Sequence, residues 1–424
     1  MRYLFVLLPA LLCAETHKLT FDQALERARR EAPEVLLARF DEVQAQQAIR
    51  IARDPFSPKV AVGSGLAYTN GFPLSIEGSA PSLFQAKISQ SVFNRPQSYL
   101  VAKSRVDSQS VAQSVNERRD AALEKTAKLY LDANLAQRNF ELLRQQIANL
   151  EAVSSTVDAR VEEGRALAIE SRRAAVNSRK AQQRLRLLSS ELQQVQRTLA
   201  FVLGFPTDDL VEIEPLAALA TTLPSQDEEA IQAALANSRE LKRLQLDMQA
   251  KDLEVRANRA AYLPQVDLVA QYGLFARFNN FDRFFNSFQR NNALFGLSFK
   301  FPIVPGAAAS AQAASALNEV NRLRLRLTNT RNRIALDTRK LLEDLRLQSE
   351  NRDLAKLDLD VARDQVSLIL VQMEEGKASR RQLEEARFLE AEKWIAYYEA
   401  QHAMDRAGVS LLAALGQLDQ LAVR

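Results

Sequence analysis

The chain has a single cysteine, Cys13, and two histidines, His17 and His402, in 424 residues. That leaves too little sulfur and imidazole for a disulfide framework or a Cys/His zinc centre, and neither histidine has a partner at metal-ligand spacing. Glycine is scarce, with 12 residues, and no glycine-rich phosphate loop or G-x-S-x-G nucleophile motif occurs. No convergent cluster of catalytic side chains is apparent, so neither an enzyme nor a cofactor is expected. The 56 basic residues outnumber the 52 acids by only four and interleave with them, which reads as solvated helix faces. A nucleic-acid partner is not expected. After the N-terminus no segment is long and uncharged enough for a transmembrane helix, so any passage through a bilayer must be made by strands.

What the chain does have is leucine, alanine, arginine, glutamine and glutamate, the residues of long helices. Residues 1–14 (MRYLFVLLPALLCA) resemble a secretory signal: Arg2 is the basic start, Tyr3–Leu12 the apolar core and Ala14 the small residue for cleavage. Cleavage after Ala14 leaves no cysteine. A lipoprotein signal would instead keep Cys13 as an acylated first residue, although Leu12 is larger than that signal prefers.

The second half of the chain repeats the first. FSPKVAVGSGLAY (56–68) aligns with YLPQVDLVAQYGL (262–274), placing Pro58 and Pro264 206 residues apart. VEEGRALA (161–168) answers MEEGKASR (373–380), and LAFVLG (199–204) answers LLAALG (411–416), each 212 apart. The expected organisation is therefore a signal at 1–14, a first repeat at 15–204, a linker at 205–226, a second repeat at 227–416 and a tail at 417–424.

Within each repeat the patterning predicts a helix, two strands and a long helical hairpin. The helices are expected over about 20–54 and 228–260. The strands are expected over about 59–70, 83–93, 264–276 and 293–303, with Val60, Val62, Leu66 and Tyr68 on one face of the first and Phe84, Ala86, Ile88 and Val92 on one face of the second. Two proline-free helices follow, from Pro96 to about Glu163 and from Gly306 to about Glu375. A run of some 65 residues makes a rod of roughly 100 Å. Heptads mark their seams: Leu129, Ala136, Leu143, Leu150 and Val157 in the first, and Val320, Leu327, Ile334 and Leu341, then Leu347, Leu354, Val361 and Leu368, in the second. Gly164 and Gly376 mark the turns into return helices. The linker, with Pro206, Pro215 and Pro224, is expected to be irregular. The phenylalanine-rich stretch 277–292, with Phe278, Phe281, Phe284, Phe285 and Phe288, reads as a loop packed on itself or as an interface belt.

Four strands with one apolar and one small or polar face are too few for a closed barrel. An open sheet in lipid leaves unpaired backbone on both edges at several kcal/mol per group. Two edges of about five groups cost tens of kcal/mol, more than the 5–15 kcal/mol that holds a typical domain together. Either the sheet lies outside the membrane, or several chains pool their strands. Strand lengths near 9–11 residues and the polar second face favour pooling, with Val60, Val62, Leu66, Val266 and Leu268 facing lipid. The alternative is a periplasmic coiled-coil scaffold without a pore.

The chain resembles the TolC-like outer-membrane factors along nearly its whole mature length. The resemblance is carried by LTFDQALERARREAPEV (19–35), ISQSVFN (88–94), YLPQVDLVAQYG (262–273), FPIVPG (301–306), the EEGRA and EEGKA turns, and the two LG endings at 203–204 and 415–416. It implies a mainly α fold with a membrane β-barrel: a homotrimer pooling twelve strands above a twelve-helix periplasmic tunnel, in the outer membrane of a Gram-negative-type bacterium. It implies an exit duct of a tripartite efflux pump or type I secretion system, passive itself, with a periplasmic adaptor, an inner-membrane pump of RND or ABC type and outer-membrane lipid as partners. It also implies adaptor contacts at the hairpin tips, here Gly164, Arg165, Gly376 and Lys377. An acidic constriction is implied just after the second tip. The positions matching the family's acidic pair are Gln382 and Glu385; the first departs from the pattern, and Glu384 is a further candidate.

Overall fold

The computed structural model describes residues 15–65, 82–165, 167–206, 208–216, 219, 226–276, 286, 289–303 and 307–421. The proposed signal with Cys13, Leu66, Tyr68, the 71–81 loop and the five loop phenylalanines lie outside the described residues. The chain divides into two compact units. One is built from residues 1–38, 115–239 and 331–424, the other from 39–114 and 240–330.

The first expected helix is two helices, α1 (Phe21–Glu31) and α2 (Pro33–Arg53). Thr20 caps α1 reciprocally with Gln23. The break falls at Ala32, held extended at ψ 131 because a following proline crowds the α conformation. The equivalent helix also divides, into α3 (Asp227–Asn237) and α4 (Arg239–Arg259). Arginine follows that break, so proline is not its cause. The Asn237 side chain donates to the Leu415 carbonyl at 2.8 Å, a tertiary contact that no local pattern announces.

The second unit is organised by a four-stranded antiparallel sheet, in the order β1 (Lys59–Gly65), β2 (Ser82–Asn94), β3 (Gln265–Phe275) and β4 (Asn291–Lys300). Helix α5 (Arg95–Glu162) follows β2 without a loop, and Asn94 caps it by accepting from the Gln97 N–H at 3.0 Å. The Gln97 amide donates to Ala52 at 2.7 Å and Gln90 to Phe56 at 2.9 Å, tying sheet to α2. The helix Ala307–Glu374, α6, packs Ala316 and Val320 against Val255 of α4.

In the first unit α5 packs against both return helices, α7 (Ala168–Val202) and α8 (Arg380–Ala414), and α8 packs against α6. Gln182 bonds Glu151 across α7 and α5 at 3.0 Å, and Lys393 meets Asp358 across α8 and α6 at 2.6 Å. Ala136 and Leu143 of the α5 seam are buried as expected. The α6 seam departs from expectation. Val320 is buried, but Leu347, Leu354, Val361 and Leu368 are exposed, at 54%, 62%, 66% and 55%. The buried line is Leu342, Leu345, Leu359, Ala362 and Val366. Two heptad lines share α6, and the stronger one in sequence faces outward.

The linker is not wholly irregular. Leu210–Ile213 forms a strand, β5, parallel to a strand at Thr16–Leu19, β6. Tyr130 of α5, buried, donates to the carbonyls of Leu19 and Glu214 at 3.1 and 2.8 Å, so one phenol holds the ends of both strands. Burial, the largest influence, raises its pKa to about 12. Around it Phe21, Leu131, Leu199, Leu203 and Val409 form the main core.

Candidate functional site: an unfinished wall

The register of the sheet lines up cross-strand rows of one character. Val60 lies opposite Ile88, which lies opposite Ala270 and then Phe295; Val62 leads to Ala86, Tyr272 and Ala293. Leu268 faces Leu297, and Val266 sits between Phe93 and Phe299. A bulge at Ser91–Phe93 puts Phe93, not the expected Val92, in that row. Val60 and Val62 are 65% and 63% exposed, Phe295 79%, and nothing among the described residues covers this face. Val266 and Leu268 are half-buried members of it.

The opposite face is small and polar. Gly63, Gln85, Gly273 and Asn292 form one row, and Ser91, Asp267 and Ser298 another, interrupted elsewhere by Val269 and Leu294. Asp267 accepts from Lys300 at 3.3 Å. Among the described residues β1 and β4 each pair on one side only, so both margins of the sheet present unpaired N–H and C=O groups.

The hairpin turns are alike. Gly164 and Gly376 have φ of 71° and 76°, the left-handed region that glycine enters without a Cβ penalty. Arg165 and Lys377 each close the turn with a backbone bond to the residue five before, both 2.8 Å. Each also pairs with the acid ahead of the glycine: Arg165 with Glu163 at 3.3 Å, Lys377 with Glu375 at 2.7 Å.

The residues of the expected constriction are engaged locally. Gln382 is the reciprocal partner of the Ser379 cap, accepting from its N–H at 2.8 Å. Glu385 accepts from Arg381 at 2.8 Å, and this bond with its charge raises the Arg381 pKa further. Glu384 pairs with Arg387 at 3.7 Å.

Sequence reading passed over two polar sites. His402 and Arg406 of α8 both bond Asp132 of α5, at 2.7 and 2.5 Å. Burial pushes the Asp132 carboxyl up, but these bonds and charges outweigh it and hold it below its ordinary range. His17 stacks on Phe205 at 4.1 Å and contacts Asp209 at 3.0 Å. The partners lie 270 and 192 residues apart, so no local motif could have joined them. Among the described residues no cluster suits a metal ion, and no helix is long and apolar enough to cross a membrane.

The family model for outer membrane efflux protein matches residues 24–205 and again 230–417. No curated protein sequence matches significantly. Solved structures share the fold at low identity. The open-state MtrE outer membrane channel of Neisseria gonorrhoeae is 15% identical, with 95% of this chain and 90% of that one covered at a TM-score of 0.74. The CmeC outer membrane channel of Campylobacter jejuni is 14% identical, covering 94% and 85% at 0.74. The outer membrane protein VceC of Vibrio cholerae is 14% identical, covering 93% and 96% at 0.71. With both halves matched by one model, the chain belongs to the outer membrane efflux protein family and is an efflux channel, not an enzyme.

Proposed function

We propose that three copies pool their strands into a twelve-stranded barrel in the outer membrane, while their long helices form the wall of a periplasmic tunnel. The observation that carries this reading is the sheet: among the described residues it has a continuous apolar face, a polar face and two unpaired margins. The polar face then lines the lumen. The duct is passive, and export is driven by an inner-membrane pump of RND or ABC type through a periplasmic adaptor, in a tripartite efflux or type I secretion assembly.

The two hairpin tips, at Gly164–Arg165 and Gly376–Lys377, are the adaptor contacts in this reading. Glu384 and Glu385, with Gln382, ring the periplasmic mouth. Residues 15–204 and 227–416 are tandem copies of one unit joined by 205–226, and residues 1–14 direct export.

The test is electrical. Detergent-purified protein of trimeric mass, added to a planar lipid bilayer, is expected to open discrete steps of conductance. A soluble monomer, or a trimer that never conducts, would instead favour a periplasmic scaffold without a pore.

A further inference from the structure

Asp209, just ahead of β5, is a buried carboxylate, with 7% of the residue exposed. Such a charge is costly unless a cation or several donors meet it. Two groups do. Its Oδ1 accepts from the Glu15 backbone N–H at 3.0 Å, and its Oδ2 meets Nε2 of His17 at 3.0 Å. Among the described residues His17 is its one ion-pair partner, a cation only when protonated. The bond from Glu15 is the largest influence holding this carboxyl below its ordinary range, followed by His17, against burial.

Both partners are held in place by other bonds. The Leu210 N–H donates to the Glu15 carbonyl at 3.1 Å, and the Asp209 N–H donates to the Pro206 carbonyl at 3.2 Å. The ladder of β6 on β5, which begins with Thr16 opposite Leu210, therefore sets the Glu15 nitrogen against the carboxylate. A strand of four residues near a chain terminus stays ordered only where it is tied down. Tyr130 ties β6 at Leu19, and Asp209 ties it at Glu15. The main core depends on both ties, since Val211 and Ile213 of β5 are buried in it and Leu19 packs against it.

Glu15 directly follows Ala14, the small residue at which the proposed export leader ends. Hydrolysis of the Ala14–Glu15 amide by a signal peptidase breaks that C–N bond with one water. The water oxygen goes to the carboxylate of Ala14, which leaves with the leader. Both water hydrogens go to the Glu15 nitrogen, which becomes an α-ammonium with an ordinary pKa of about 8.

We propose that removal of the leader between Ala14 and Glu15 turns the Glu15–Asp209 hydrogen bond into an ion pair that locks β6 onto β5. In the precursor this nitrogen is a neutral amide. In the cut chain it is a cation already placed 3.0 Å from Oδ1, and a charge-assisted bond is about twice as strong as a neutral one. The core of the first unit is thus secured after export, not before it. This inference rests on the reading of residues 1–14 as an export leader, and adds where the leader is cut and what the new chain end does.

The test uses the full-length protein purified from membranes. Its intact mass is expected to begin at Glu15 with an unblocked amine. Acetic anhydride at pH 7 should acetylate that amine at least about tenfold more slowly than in Asp209→Asn, since each unit by which a carboxylate raises the amine pKa removes a factor of about ten in free base. A second variant, with Gly-Ser inserted between Ala14 and Glu15, keeps Asp209 and leaves Glu15 an amide after cleavage. With its mass showing Gly-Ser retained, hydrogen exchange at Thr16–Leu19 should quicken by about tenfold, the same factor. A native amine that reacts as fast as in Asp209→Asn, or exchange unchanged by the insertion, overturns the lock and leaves the leader standing. A mass that keeps Cys13 with acyl chains overturns both the cut and the lock. Protein that keeps residues 1–14 overturns the leader reading with them. Conductance in planar bilayers is read separately and decides the duct.

Discussion

Asp405 is 5% exposed on α8, accepting from Gln401 at 2.9 Å and from the Leu219 N–H. Burial, the largest influence, raises its pKa to about 6, against the lowering effect of those bonds and of His402 and Arg138. A carboxyl whose folded pKa lies above its unfolded value takes up protons on folding. Its contribution to stability is full below about pH 4 and is lost as pH rises through about 6. Asp405→Asn should therefore raise the melting temperature at pH 8, by up to about 3 kcal/mol of stability, with the gain vanishing near pH 4. An equal gain at both pH values would show that ionisation is not the cause. Glycine offers a second residue-scale test. Gly204 has φ +80°, and a Cβ there would sit 2.9 Å from the Glu31 carbonyl oxygen, whereas at Gly164 (φ +71°) it meets nothing within 4 Å. Gly164→Ala should cost about 1 kcal/mol, the strain of the left-handed conformation alone. Gly204→Ala should cost clearly more, because the backbone at the α1–α2 junction, Glu31 to Pro33, must also shift; thermal melts of the two variants decide the order.

At the scale of elements, the two faces of the sheet are separable by substitution. Val62 stands in the row with Ala86, Tyr272 and Ala293, so Val62→Arg should destabilise the membrane-embedded protein by about 2–4 kcal/mol. Gln85→Arg, between Gly63 and Gly273 on the other face, should cost under 1 kcal/mol. Comparable urea midpoints for the two in lipid vesicles would place neither face against hydrocarbon. The strands were legible because alternation is a two-residue period, and the long helices because leucine recurs every seven. The bulge at Ser91–Phe93 and the strand Leu210–Ile213 were not: one depends on cross-strand register, the other on Tyr130 and a partner strand nearly 200 residues away. On α6 the expected seam, Leu347 to Leu368, is exposed, and the chain's own core lies along Leu342 to Val366.

At the scale of the whole molecule, the described residues leave open margins in both units: unpaired backbone in the sheet and exposed leucine on the helices. If Glu384 and Glu385 ring the mouth, their negative charge enriches cations there. Glu384→Gln/Glu385→Gln should then reduce cation preference, moving the reversal potential across a salt gradient toward zero. An unchanged potential would remove these residues from the constriction and leave them as partners of Arg387 and Arg381.

Local order followed from composition and period: scarce glycine, heptads and alternating strands dictated which segments became helix or sheet. Those are short-range preferences, set within a few residues by backbone sterics and by which side chains share a face. Which of two leucine lines on α6 is buried, which aspartate meets His402, and how β2 joins β3 across two long helices depended on the packed chain. Such pairings are long-range competitions for the same apolar surface, and a linear pattern carries no distances in space with which to settle them.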